Sequence, residues 1–451
     1  MLSEEGIALK REVQTIYRKG GFFNQNLVGI QKDIFKVIKM RGGRNMSNRN
    51  FKDIQDGTKA VWAGEKESLA YNATQVPVVL SVAYNYDDVD EWQEVAIGNK
   101  PGHIYNRMTN PTVQAFEEKV RILEGAEEAI AFSSGMAAIS STLYTFLRPG
   151  DRVISVKDTY GGTNKIFTEF LPNIDVDVTL CNTGNHEEIE AEVAKGCKVL
   201  YLESPTNPTM KITDIERMVK AAKSMGALVI IDNTFATPIN QNPIQLGVDI
   251  VIHSATKFLS GHADALGGVV CGSKELMKRV YHYREINGAT MDPWSAYLIL
   301  RGMKTLKLRV RQQEKSAMVI AKYLQKQKLV EAVYYPGLET HPHHQIAKKQ
   351  MKGFGGILSF VLKDEMKAIK ILLPKLRYAH KAGNLGAVET IYGPARTTSH
   401  VECTLEERKA LGIPEGLVRI SVGIEDTEDL IADLEQAFSL LESQLPVNSS
   451  K

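Results

Sequence analysis

A chain of 451 residues is too long for one small core, so two unequal globular units with terminal extensions are expected. Its net charge of +2, with 24% charged and 43% apolar residues, is that of an ordinary globular protein and gives no charge-driven surface for nucleic acid. The four cysteines (Cys181, Cys197, Cys271, Cys403) have neither metal nor redox spacing, no apolar run is long enough to span a bilayer, and no secretory apolar stretch follows the start. A cytoplasmic protein with reduced thiols and no membrane partner is the expectation.

Residues 1–45 read as a basic N-terminal extension, with Lys10, Arg11, Arg18, Lys19, Lys32, Lys36, Lys39, Arg41 and Arg44, punctuated by the glycine pairs Gly20-Gly21 and Gly42-Gly43. Ile30, Ile34, Val37 and Ile38 suit one face of a short helix, whereas Glu4, Glu5, Glu12 and Asp33 argue against a transit peptide. Residues 46–104 form a polar arm with one apolar island, Val78 to Val82, which needs another surface to settle on. After Tyr105-Asn106-Arg107-Met108-Thr109-Asn110-Pro111, the spacing of Val113, Phe116, Val120 and Leu123 predicts a helix capped by Thr112.

Next comes Ser133-Ser134-Gly135-Met136-Ala137, a small-residue turn between apolar Ala129 to Phe132 and a helical pattern over Ala137 to Leu147. Free N–H groups at a helix start suit an anion, and glycine permits close approach. By itself this is weak. Short β-rich runs follow at Arg152 to Val156, Val176 to Leu180, Val199 to Leu202, Leu228 to Ile231, Asp249 to Ile252 and Val269 to Cys271, separated by helical patterns such as Ile212 to Met225. Alternating strands and helices predict an α/β fold with a mostly parallel sheet whose chemistry lies beyond the carboxyl ends of the strands. Glu203-Ser204-Pro205, Asp232-Asn233-Thr234 and Ser254-Ala255-Thr256-Lys257 all stand there.

Lys257 ends an apolar strand, where its charge must be solvated, paired or consumed chemically. A desolvated amine loses its proton readily and attacks an aldehyde to form a Schiff base. Ser254 and Thr256 add hydroxyls suited to a phosphate. Taken alone, the stretch through His262 fits a Schiff-base lysine, a phosphate loop or an ordinary turn. Asp232 likewise ends an apolar strand one unit earlier; it suits the protonated nitrogen of a pyridine ring, a magnesium ion or a helix cap.

From about Phe51 to Leu441 the chain resembles the Cys/Met-metabolism enzymes dependent on pyridoxal 5′-phosphate (PLP), the group of cystathionine γ-synthase, cystathionine γ-lyase, O-acetylhomoserine sulfhydrylase and methionine γ-lyase. The resemblance rests on Tyr105-Asn106-Arg107, Ser134-Gly135-Met136, Tyr160-Gly161-Gly162-Thr163, Glu203-Ser204-Pro205-Thr206-Asn207-Pro208, Asp232-Asn233-Thr234, Ser254 to His262 and Arg419 to Glu425, in the family's order. It implies the type I fold of PLP-dependent transferases, aspartate-aminotransferase-like. A PLP-binding large domain would span 105–300 and a smaller C-terminal α/β domain 301–451, with the 46–104 arm reaching a neighbouring subunit. It further implies that Lys257 carries PLP and moves protons, Asp232 pairs with the ring nitrogen, and Tyr160 stacks on the ring. Gly135, Met136, Ser254 and Thr256 would hold the phosphate, with Tyr105 and Arg107 completing it from a neighbouring subunit in a homodimer or homotetramer. Arg419 would grip the substrate α-carboxylate.

The activity implied is γ-replacement on an activated homoserine ester with a thiol co-substrate. The alternatives are γ-elimination to a 2-oxo acid and ammonia and, remotely, a non-catalytic PLP-binding scaffold. Departures from the family's pattern bear on the substrate. Gly162 stands where methionine γ-lyases usually have cysteine, and Gly383 where animal cystathionine γ-lyases have glutamate. Asn384-Leu385-Gly386-Ala387 replaces Ser-Leu-Gly-Gly and looks like the sulfhydrylases, with Asn384 suited to hold the lysine or a substrate carboxylate. Arg396 reads as a specificity residue or a surface charge. His341-Pro342-His343-His344 is read as no metal site, because proline breaks the spacing and no further ligand is near. Leu306 to Leu324 and Glu428 to Leu441 read as amphipathic helices.

Overall fold

The computed structural model describes residues 51–65, 72–401 and 403–445, so the basic 1–45 extension lies outside the described residues. The apolar runs of the middle of the chain become β1 (Glu128–Phe132), β2 (Arg152–Val156), β3 (Asp177–Cys181), β4 (Val199–Glu203), β5 (Leu228–Asp232), β6 (Ile250–Ser254) and β7 (Gly268–Gly272). They form one sheet in the order β1-β7-β6-β5-β4-β2-β3. From β3 to β6 all pairs are parallel, and β7 runs antiparallel to β1 and β6. Side chains alternate between two covered faces: Tyr201 and Ile230 enter one core cluster, Leu202 and Ile231 the other. The same alternation brings Glu203 and Asp232, paired in register, onto one face at the carboxyl edge.

Several boundaries differ from the expectation because side-chain caps decide where helices begin. Asn110, not Thr112, caps helix Pro111–Glu124, its carbonyl accepting from the N–H groups of Thr112 and Val113 with proline at the first position. Thr112 instead ties down the arm: its hydroxyl donates to Pro77 O at 2.7 Å and accepts Val79 N–H at 3.0 Å. Asp214 caps the next expected helix, which therefore spans Ile215–Ser224 rather than starting at Ile212. Asp249 lies outside β6, where its carboxylate accepts the Val229 N–H at 2.9 Å. Ser134 caps helix Gly135–Phe146, two residues ahead of the pattern, leaving Gly135 and Met136 in its first turn.

The C-terminal sheet holds β8 (Val330–Tyr334), β9 (Ile357–Leu362), β10 (His380–Lys381), β11 (Ile391–Pro394) and β12 (Leu417–Ser421) in the order β10-β11-β12-β9-β8. It is antiparallel except between β10 and β11. Helices Leu306–Leu324 and Thr427–Gln444 cover it through Ile320, Leu434 and Phe438. Ile357 and Leu385 from this part share a buried cluster with Phe258, Leu259 and Val310, so the segment carrying Lys257 is clamped under it. Each such buried side chain contributes about 1.5–3 kcal/mol, more than an exposed ion pair gives.

The arm finds its surface partly on this chain. The buried Lys119 ammonium donates to Ala60 O at 2.8 Å and Val61 O at 3.2 Å in helix Asp56–Trp62, and pairs with Glu65 at 3.0 Å. Burial holds the Lys119 ammonium down to about 8, which Glu65 opposes.

The histidine-rich stretch acts through hydrogen bonds to backbone. His343 Nδ1 accepts the Ile212 N–H at 3.1 Å, His341 Nδ1 accepts the His343 N–H at 3.2 Å, and His186 Nε2 accepts the Asp214 N–H at 2.9 Å. Such acceptors work only as neutral rings. Burial lowers all three, His341 to about 4, with neighbouring cationic charge adding to the effect. A depressed folded value means the unfolded chain binds the proton first, so this stability is full above about 6.5 and is lost as the pH falls toward 4. The thermal midpoint is expected to fall across that window. His341→Asn, which keeps an acceptor but does not titrate, should make the fall measurably shallower in thermal scans at stepped pH.

Candidate active site

The carboxyl ends of β4, β5 and β6, the start of helix Gly135–Phe146 and the loops flanking β11 enclose a cavity of about 190 Å³. Gly135, Met136, Tyr160, Asp232, Ser254, Thr256, Lys257 and Arg419 all line it. Eight expected residues, scattered over nearly 300 positions of chain, thus meet at one place.

Lys257 follows β6 by three residues, and its Nζ donates to Asn384 Oδ1 at 2.9 Å. Burial, reinforced by the nearby Arg419 charge, holds the Lys257 amine down to about 8 from its ordinary 10.5. Gly386 lets the Asn384 loop approach: at φ +75° a side chain there would be strained, and its Cβ would stand 2.6 Å from Phe258 N. Arg419 comes from β12, in the other sheet, and is 4% exposed. Its guanidinium donates to Asn207 Oδ1 at 2.9 Å and Asn384 O at 3.0 Å. Both partners are neutral oxygens, and among the described residues no carboxylate pairs with it. Burial lowers it to about 10.

Two carboxyl groups face these two cations. Asp232 accepts the Thr234 N–H at 2.9 Å, and burial raises it despite that bond and the nearby His253. Glu203 is raised further, by burial and by the Asp232 charge. Its Oε2 accepts the Tyr160 N–H at 2.9 Å and its Oε1 the Asn207 N–H at 3.0 Å. Sequence reasoning set Glu203 at a strand end but gave it no role, and passed over Asn207. The argument applied to Asp232, a carboxylate closing a wholly apolar strand, would have found Glu203 as well.

The residues present fit PLP. At the helix start a Cβ on Gly135 would stand 2.7 Å from Ser254 Cβ, so only glycine leaves that space beside the free N–H groups. A helix N-terminus favours an anion by roughly 0.3–1 kcal/mol at a surface and up to ~2 kcal/mol when buried. Thr256 contributes less freely, because its hydroxyl donates to Gly267 O at 3.2 Å and accepts Gly267 N–H at 3.0 Å. A buried amine, a carboxyl raised by burial and an anion cradle are the donor set that an aldehyde, a pyridine nitrogen and a phosphate need.

Tyr105 and Arg107 lie apart from this cavity. Arg107 Nη1 donates to Glu285 O, and its guanidinium sits 5.8 Å from the centre of the Tyr105 ring. Arg396 is a surface charge rather than a cavity residue, half-exposed and 3.7 Å from Glu415. Gly383 does line the cavity, with nothing within 4 Å of where its Cβ would be. A side chain at Gly162 would meet the Tyr160 ring at 2.9 Å and Met136 Sδ at 3.1 Å.

A family model, the Cys/Met metabolism PLP-dependent enzymes, matches residues 57–439. An L-methionine gamma-lyase of Fusobacterium nucleatum subsp. polymorphum is 43% identical over 383 residues, 84% of this chain and 97% of that protein. A cystathionine gamma-lyase of Bacillus subtilis is 43% identical over 351 residues, 77% of this chain and 92% of that protein. Among solved structures, a cystathionine gamma synthase of Xanthomonas oryzae pv. oryzae, in complex with aminoacrylate and cysteine, aligns with a TM-score of 0.83 at 36% identity. That alignment covers 87% of this chain and 100% of the synthase, and the type I fold is therefore the fold of this chain.

Two measurements test the site. In cofactor-free protein, modification of Lys257 by trinitrobenzenesulfonate, read on its own peptide, should titrate near 8, and Arg419→Gln should move the midpoint up by removing a like charge. Gly135→Ala should cost about 1–3 kcal/mol of PLP affinity, by the overpacking it imposes on Ser254. A dissociation constant equal to that of the parent would remove the cradle.

Proposed function

Because the chain belongs to the Cys/Met metabolism PLP-dependent enzymes, we propose that it breaks the Cγ–heteroatom bond of a γ-substituted L-α-amino acid and transfers the four-carbon unit to a thiol. Its cofactor is PLP. What supports this reading above all is the placement in one cavity of two buried cations, Lys257 and Arg419, whose hydrogen-bond partners among the described residues are neutral amide oxygens. A desolvated guanidinium of this kind favours a carboxylate, and a charge-assisted bond contributes roughly 1.5–3 kcal/mol.

In this mechanism Arg419 holds the substrate α-carboxylate and so orients the Cα–H bond toward Lys257. When bound, PLP would supply an electron sink for the charge developing at Cα, and Asp232 would hold the proton on its ring nitrogen. With its amine near 8, Lys257 takes the Cα proton at neutral pH and returns it further along, while Asn384 Oδ1 steers the amine between strokes. Tyr160, from the other wall, exchanges protons at the substrate nitrogen or Cβ as the γ-substituent leaves. Tyr105 and Arg107 are proposed to complete the phosphate site of a second copy of the chain.

The open space at Gly383 supports a small, uncharged γ-substituent such as an acyl ester, since this chain offers no carboxylate there for a distal ammonium. A second reading, γ-elimination, is favoured by the two gamma-lyases that match at 43% identity. Given an O-acylhomoserine and a thiol, the replacement enzyme should form the thioether. A lyase would release 2-oxobutanoate and ammonia whatever the thiol. Lys257→Ala should lower either product at least ~10²-fold, the scale of a lost general base; turnover near the parent's would sink both readings.

A further inference from the structure

The mechanism leaves Glu203, a deeply buried carboxyl, without a task. We propose that Glu203 is a positioning residue that sets the Arg419 guanidinium, through Asn207, for the substrate carboxylate. The inference rests on the reading of Arg419 given above.

Glu203 is 4% exposed and stands beside Asp232 at the end of β4. Two neighbouring carboxyl groups in one wall are unfavourable, and an apolar or amide side chain would close an apolar strand with less penalty. The carboxyl has two oxygens, and each has a separate duty. Oε2 accepts the Tyr160 N–H at 2.9 Å, which fixes the rotation of the group. Oε1 is then aimed at the Asn207 N–H, at 3.0 Å, and holds the start of the loop leaving β4. From that loop the Asn207 side chain reaches back, its Oδ1 accepting from Arg419 Nη1 at 2.9 Å. The guanidinium is thus anchored to the large sheet at one nitrogen and to Asn384 O, in its own part of the chain, at the other. Asn384 O alone leaves the plane of the guanidinium free to turn; the link through Glu203 and Asn207 sets that plane.

The test uses the PLP-loaded full chain and two unreactive ligands followed by cofactor absorbance. L-norleucine has a carboxylate but no γ leaving group, and pentylamine has neither. Glu203→Gln keeps the shape but places an NH₂ against one of the two N–H donors. It should raise the dissociation constant for L-norleucine ~10-fold, the loss of one well-placed charged hydrogen bond, and that for pentylamine less than ~2-fold. Asn207→Ala should do the same, and the double variant should be no worse than the poorer single one, since both cut one chain of contacts. A norleucine constant within ~2-fold of the parent in Glu203→Gln, equal losses for both ligands, or multiplying losses in the double variant would overturn the proposal. If Glu203→Gln does not fold, Asn207→Ala alone decides, because it leaves both bonds to the carboxyl in place. Arg419→Ala separates the two claims. Unchanged norleucine binding there overturns the carboxylate reading and this inference together, whereas a loss there with none in the other variants overturns this inference only.

Discussion

The structure depends on the burial of two cations that no carboxylate among the described residues pairs with. Lys257 and Arg419 enter one cavity from opposite sheets, and each meets a neutral oxygen of the same residue, Asn384. Burial disfavours the charged form of each, which is why both are depressed below their ordinary values, and for Lys257 the Arg419 charge adds to the effect. That unfavourable placement has a chemical return. The amine gives up its proton near pH 8 rather than 10.5, so a reactive minority is free at neutral pH, and the guanidinium favours whatever anion can enter.

Holding such groups needs rigid supports, and these come from the way the strands end. In the parallel part of the large sheet, β4, β5 and β6 stop at one edge, so residues far apart in the chain arrive there side by side. Asp232 and Glu203 are in register across neighbouring strands, and Lys257 follows the next. The mostly antiparallel C-terminal sheet supplies the remaining wall. Its β12 carries Arg419 inward, and the Asn384 loop packs against Phe258 with Leu385 in the shared core. Each wall is therefore set by core packing rather than by the site itself. The polar contacts within the cavity have only to choose orientations.

The same economy appears at the arm. Its short helix has little core of its own, and Lys119 ties it down by donating to two carbonyls and one carboxylate. Asn110 and Thr112 do the same for the apolar island at Val79. Leu80 and Val82 nearby remain exposed among the described residues.

The residues alone determined the alternation of strand and helix and the edge where the chemistry sits, and they marked the lysine, aspartate and glycine turn as candidates; the PLP roles of these three came from the resemblance to a known family. These were legible because each is a local conflict: a charge ending an apolar strand, or a glycine where a helix begins. Only the folded chain decided that Glu203 and Asn207 belong to the site, that Asn384 faces Lys257, and that Arg396 faces Glu415 outside it. Helix starts also moved, since Asn110, Ser134 and Asp214 compete for the capping place through bonds that periodicity does not register. The division follows from range. Burial conflicts and periodicity act within a few residues, whereas a contact such as Arg419 with Asn207 joins two sheets whose packing no local pattern encodes.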